Sequence, residues 1–173
     1  VFTIDEELRS FFLEDRSLLD CLFQAVRSVI LEMFHKINKS KNFVPGFVCV
    51  LHTFGRPLEW NPHIHCLLTE GGFSDDGFWR VVKHFNYTYL RKAFQTALLN
   101  AMEKRIGPSF KKTKAAIYKK DKNGFYVYAK PNLCDPNTVV KYISRYLGRP
   151  VIATSRIDSY DGKNVTFHYN KHE

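Results

Sequence analysis

From Leu18 to Ile37 apolar residues recur every three or four positions, at Leu19, Leu22, Phe23, Val26, Val29, Ile30, Met33, Phe34 and Ile37. That period is the stripe of an amphipathic helix lying on a core. Ahead of it, "VFTI" reads as a short strand, with Asp5 placed to cap the turn that follows. Beyond "NKSKN" the pattern changes. "FVPGFVCVLHTF" and "HIHCLLTE" are strand-like runs on either side of the turn-rich "GRPLEWNP", so residues 47–70 predict a hairpin. After a turn at "GGFSDDG", a long helix is expected from about Phe78 to Ile106, carrying Tyr89, Phe94, Leu98 and Met102. "KKTKAAIYKKDKNGFYVYAKP" reads as a second hairpin, turning at Lys122, Asn123 and Gly124 with its lysines outward.

The segment "DPNTVVKYISRYLGRP" carries its own punctuation. Asp135 fits the N-cap, Pro136 the first helical position, Gly148 the left-handed stop and Pro150 the bar to continuation. A last hairpin turns at "DGKN". Strands and helices mix without strict βαβ alternation. The expectation is therefore one α+β domain over residues 1–173, a central antiparallel sheet flanked by helices.

Composition adds a partner. The chain has 26 Lys+Arg against 17 Asp+Glu, a formal charge of +9, which favours a polyanion, nucleic acid first. No apolar run approaches the roughly 18 to 20 residues of a membrane span. The four cysteines have no C-x-x-C spacing. They read as reduced residues of a cytoplasmic protein, not a disulfide framework or a zinc knuckle.

Two motifs carry candidate chemistry. His63 and His65 alternate on a strand and so share a face. In a chain with seven histidines such a pair by itself is more often a surface feature than a site. The partner strand adds weight: with a loop at 55–62, Phe54 faces His63 and His52 faces His65, giving three imidazoles on one face. Glu59 in the loop is the alternative third ligand. The second motif is Tyr142 and Tyr146, four apart on the capped helix, beside a cationic stripe of Lys141, Arg145 and Arg149. A phenol near pKa 10 becomes a nucleophile when a metal and nearby cations stabilise its phenolate. Packing of one ring on the sheet is the plain alternative. Lys111, Lys112, Lys114, Lys119, Lys120 and Lys122, with Tyr118, Tyr126 and Tyr128, would offer a single strand a cationic, aromatic platform. A solvated hairpin face fits the same charges.

Taken together, "VFTIDEEL", "VLHTFGRPLEWNPHIHCLLTEGGFSDDGFW", "VYAKP" and "KYISRYLGRPVIATSRI" resemble the HUH single-strand endonucleases. The resemblance is strongest to the two-tyrosine rolling-circle transposases of bacterial insertion sequences, and it spans nearly the whole chain. It implies a palm-like, ferredoxin-like antiparallel sheet bearing a metal-dependent nuclease. His63 and His65 would be metal ligands, with His52 the preferred third, and Tyr142 and Tyr146 the nucleophiles. Mg²⁺ or Mn²⁺ would be the ion, and single-stranded DNA at transposon ends and target the partner, contacted by Lys141, Arg145, Arg149, Lys119 and Lys120. The family pattern also implies a cysteine-rich region before this domain and further sequence after it, so a catalytic core of a longer, nucleoid-associated protein is expected. Histidine-triad nucleotide hydrolases share the first two histidines, but their third place is Leu67 here. A non-catalytic nucleic-acid-binding domain remains the other reading.

Overall fold

The computed structural model describes residues 1–37, 43–55, 57–82, 85–129, 135–147 and 152–169. Helix α1 (Arg9–Glu14) and α2 (Leu19–Ile37) lead into strands β1 (Phe43–Phe54), β2 (Trp60–Ser74) and β3 (Trp79–Val81). Helices α3 (Tyr87–Ile106), α4 (Lys111–Lys120) and α5 (Pro136–Leu147) follow, then β4 (Ile157–Tyr160) and β5 (Val165–Phe167). The main sheet runs β1-β2-β3 with both pairings antiparallel, and β4 pairs with β5 in a separate hairpin. This is the α+β arrangement of an antiparallel sheet flanked by helices.

The helical stripe read from the sequence is the core. Leu22, Val26, Val29, Ile30, Met33 and Phe34 of α2 are buried, as are Leu90, Phe94, Leu98, Leu99 and Met102 of α3. The two helices pack together, and α2 also lies on β1 and β2. Each such side chain contributes about 1.5–3 kcal/mol by leaving water. Edge-on aromatic contacts tie the layers: Phe34 to Phe43 at 5.5 Å, and Phe2 to Phe94 at 5.1 Å. "VFTI" does pair with β2, although only through the single bridge of Phe2 to Ile64, and Asp5 caps the following turn by accepting from the Glu7 amide at 2.7 Å.

Two expected elements are different. The helix expected from Phe78 starts only at Tyr87, where the Asn86 side chain accepts from the Tyr89 amide at 2.9 Å. Trp79 to Val81 instead continue the sheet, with Trp79 edge-on to Phe73 at 5.2 Å. The lysine-rich hairpin is half helix. Its first arm is α4, whose one fully buried side chain is Ile117. Lys and Ala favour helix strongly, and a lone buried residue leaves no apolar stripe to announce it. Only the second arm is extended, joined by a turn in which Gly124 takes φ 80°.

The expected capped helix is present as α5. Asp135 accepts from the Asn137 amide at 3.2 Å, and α5 lies against β1. Gly148 and Pro150 lie outside the described residues. The last hairpin turns where expected, with Asp161 accepting from the amides of Lys163 and Asn164 at 2.8 and 2.7 Å.

Candidate metal centre

The β1–β2 register brings the three histidines together by a pairing different from the one expected. His52 faces His63, not His65, and His65 faces Val50. A bulge between His52 and Phe54 lets Phe54 pair with Trp60, which shortens the loop to residues 55–59. At His52 the shift is two residues, and beyond the bulge, at Phe54, it is three. A shift of two changes no face, so the imidazoles still converge.

One nitrogen from each of His52, His63 and His65 lies within 4.8 Å of the others. Ring centroids are 5.5 Å apart for His52 and His63, 4.7 Å for His52 and His65, and 5.0 Å for His63 and His65. All three are half-buried. His52 stacks on Phe54, with centroids 5.4 Å apart, which limits its swing.

The hydrogen bonds assign a tautomer. His63 Nδ1 is 2.7 Å from the Asn61 carbonyl oxygen, which can only accept. Nδ1 therefore carries hydrogen and donates, leaving the Nε2 lone pair facing His65 Nε2 at 3.2 Å. A backbone carbonyl holding one ring nitrogen so that the other can bind metal is the usual arrangement of a metal-binding histidine. Nothing in the sequence points to this role for Asn61, because the group used is main chain.

Burial pushes His63 below its usual value against the pull of the Asn61 carbonyl. Burial, with the neighbouring His63 and His52 rings, pushes His65 down to about 3. These two rings are thus neutral near pH 7, the form that donates to a metal. The donor set fits a divalent ion: three nitrogens on one side, with the sheet face leaving further positions for oxygen ligands. Imidazoles favour borderline metals, while Mg²⁺ and Mn²⁺ would complete their shell with phosphate oxygens and water. Among the described residues this is the group with metal-ligand spacing. Glu59 is not in it; its carboxylate lies 3.7 Å from Arg9.

The other expected residues fall in several places. The backbone of α5 is described, but the side chains of Tyr142, Arg145 and Tyr146, and all of Arg149, lie outside the described residues. Lys141 and Lys119 are exposed. Lys120 is exposed too, yet it is not the free cation the sequence suggested. It pairs with Asp5 at 2.9 Å and Glu7 at 3.0 Å, which raises its pKa. Lys114 is similarly held by Glu103 at 2.6 Å.

Residues 46–173 match the model of a protein family, Y2_Tnp, described as "Putative transposase". The chain belongs to this transposase family. Curated relatives agree in name. The chain is 27% identical to "Putative transposase y4qJ" of Sinorhizobium fredii, across 98% of this chain and 47% of that protein. It is 25% identical to "Transposase for insertion sequence element IS801" of Pseudomonas savastanoi pv. phaseolicola, across 99% of this chain and 44% of that protein. This transposase-family chain therefore spans just under half the length of the relatives it matches. No solved structure matches it. Among the described residues no helix is long and apolar enough to cross a membrane.

Proposed function

We propose that this chain is the catalytic domain of a transposase that nicks and rejoins single-stranded DNA by tyrosine transesterification. The observation that carries the reading is the convergent His52, His63 and His65 face in a member of a transposase family. Support also comes from α5, the helix with Tyr142 and Tyr146 in its sequence, lying against the strand that bears His52.

A divalent ion held by the three histidines, Mg²⁺ or Mn²⁺, would polarise the scissile phosphate and stabilise its developing charge. Tyr142 or Tyr146 gives up its phenolic proton and attacks phosphorus. The bond from phosphorus to the 3′ oxygen breaks, and that oxygen takes a proton to leave as a free 3′-OH. The strand's 5′ end stays on the protein as a phosphotyrosine ester. Because the ester retains the energy of the broken bond, a later 3′-OH can reverse the step and join strands. Two tyrosines permit two such esters, one for each strand being exchanged. Lys141, Arg145 and Arg149 flank the tyrosines in sequence and would neutralise the phosphates next to the cut. Lys119 would extend that contact.

The test is incubation with a single-stranded oligonucleotide and Mn²⁺, followed by denaturing electrophoresis. A covalent protein–DNA adduct is expected, absent from the double variant Tyr142→Phe/Tyr146→Phe and from His63→Ala. Adducts that persist without both tyrosines remove the nucleophile assignment. Cleavage that survives His63→Ala and His65→Ala removes the metal centre. Binding with no adduct would make this a nucleic-acid-binding domain.

A further inference from the structure

The first three residues of the chain carry the histidine face across to two tyrosines. Phe2 exchanges backbone hydrogen bonds with Ile64 at 2.9 and 3.0 Å, and on its other side it bridges Val127. The Thr3 amide donates to the Tyr126 carbonyl at 3.1 Å, and the Tyr128 amide to the Val1 carbonyl at 3.0 Å. Stepping one residue either way from these bridges gives two rows across the sheet. One is His52, His63, Thr3, Tyr126; the other is Val50, His65, Val1, Tyr128. Opposed residues share a face. The buried Ile64, Phe2 and Val127 take the opposite one. Strands lie about 4.8 Å apart, so the tyrosine positions stand roughly 10 Å from those of His63 and His65, with only Thr3 and Val1 between.

Those tyrosines form a pair. Tyr126 is 55% and Tyr128 51% exposed, although both are large aromatics. Their rings are parallel within 2°, with centroids 6.4 Å apart. Two parallel, exposed rings two positions apart on one face offer flat apolar surface on which a base can stack. The Arg91 guanidinium stands 5.3 Å from the Tyr126 centroid, and its Nε has no hydrogen-bond partner among the described residues. The segment carrying both tyrosines is anchored at Gly124. A Cβ there would lie 2.4 Å from the Arg91 carbonyl carbon, so the turn sits directly on α3. A parallel aromatic pair on the face of a candidate phosphate-handling site, with a cation against one of its rings, matches the chemistry of an unpaired base and its backbone.

We propose that Tyr126 and Tyr128 are a nucleobase-stacking site, which holds a base about one to three nucleotides from the phosphate presented to the histidines, with Arg91 beside its backbone. The spacing follows from a stacked strand advancing about 3.4 Å per nucleotide, and further per nucleotide when extended. This inference rests on the single-strand reading above.

Because stacking tolerates any base, the probe is an oligothymidylate of about twelve nucleotides, followed by fluorescence anisotropy with EDTA present so that metal plays no part. Tyr126→Ala/Tyr128→Ala is expected to weaken binding about tenfold to a hundredfold with its salt dependence unchanged. Tyr126→Phe/Tyr128→Phe should stay within about threefold of the parent, since a phenyl ring also stacks. An abasic strand of equal length should bind the parent and the alanine variant alike. The proposal is overturned if the alanine variant binds oligothymidylate as the parent does. It is equally overturned if that variant loses the same factor on the abasic strand, or if the parent fails to bind oligothymidylate. Failure of the nicking reading shows separately, as no covalent adduct in Mn²⁺ while the stacking differences persist.

Discussion

The β1–β2 hairpin has two faces made from interleaved residues, and they solve opposite problems. On one, Leu51, Ile64, Cys49 and Cys66 turn toward Phe2, Val127 and the helices. On the other stand Val50, His52, His63 and His65. Ile64 is fully buried while its neighbours on both sides are half-buried imidazoles. Hydrocarbon gains by leaving water, so the first face supplies stability. Imidazole loses hydration on partial burial, so the second face holds His63 and His65 in the neutral form. Stability and chemistry thus lie back to back in the same strands, and they should come apart under mutation.

The largest effect is expected on the core face. Ile64→Ala should cost about 2–5 kcal/mol in denaturant unfolding, while the folded fraction keeps its Mn²⁺ affinity. A large loss of affinity as well would show that the faces are not independent. On the other face, His63→Ala should lower Mn²⁺ affinity by about a hundredfold or more in calorimetric titration, at or above the upper end of the loss seen when only an orienting partner is removed. Without metal its stability should change by no more than about 1 kcal/mol. His52→Ala should behave likewise, and Glu59→Gln should stay within about twofold. The reverse order would make Glu59 the third ligand.

A pH titration sharpens the comparison further. His63 is held below 6.5 and His65 at about 3, so in this window the unfolded chain takes up protons that the folded chain refuses. Stability without metal is then fully present above pH 6.5 and falls as the pH drops from there toward 3. The double variant His63→Ala/His65→Ala should flatten that fall, measured as the unfolding midpoint at a series of pH values. The smallest effect separates two neighbouring lysines. Lys119→Ala should reduce the salt slope of single-strand binding by about 0.7, whereas Lys120→Ala, whose ammonium already faces Asp5 and Glu7, should leave it unchanged.

Local structure is legible in this sequence, and long-range pairing is less so. The periodicity of Leu19 to Ile37, the Asp135 cap and the "DGKN" turn each lie within a few residues of what they determine. The histidine face was legible because alternation needs only the strand, not its neighbours. The exact partners were not, because a bulge at Phe54 has no letter of its own. Trp79 to Val81 looked helical by continuity with the long apolar stretch beyond, and only pairing with Gly71 to Phe73 makes them strand. In α4 charge and propensity conflict: a run of lysines suggests an outer hairpin face, whereas Ala115, Ala116 and the lysines themselves favour helix. The row from His63 through Thr3 to Tyr126 joins residues more than a hundred positions apart, and no local pattern could announce it.

The bulge beside His52 has a consequence for how such a centre changes over time. A strand pairing has parity: sliding by two residues restores the same side, and sliding by one exchanges sides. The three imidazoles meet with His52 opposite His63 and would also meet with it opposite His65, so the group survives a slip of two between those registers. An odd slip would bury His52 among Leu51's companions and expose the hydrocarbon in its place. The connecting loop can therefore change by two residues, or by a single residue that a bulge absorbs, and still leave the three imidazoles on one face.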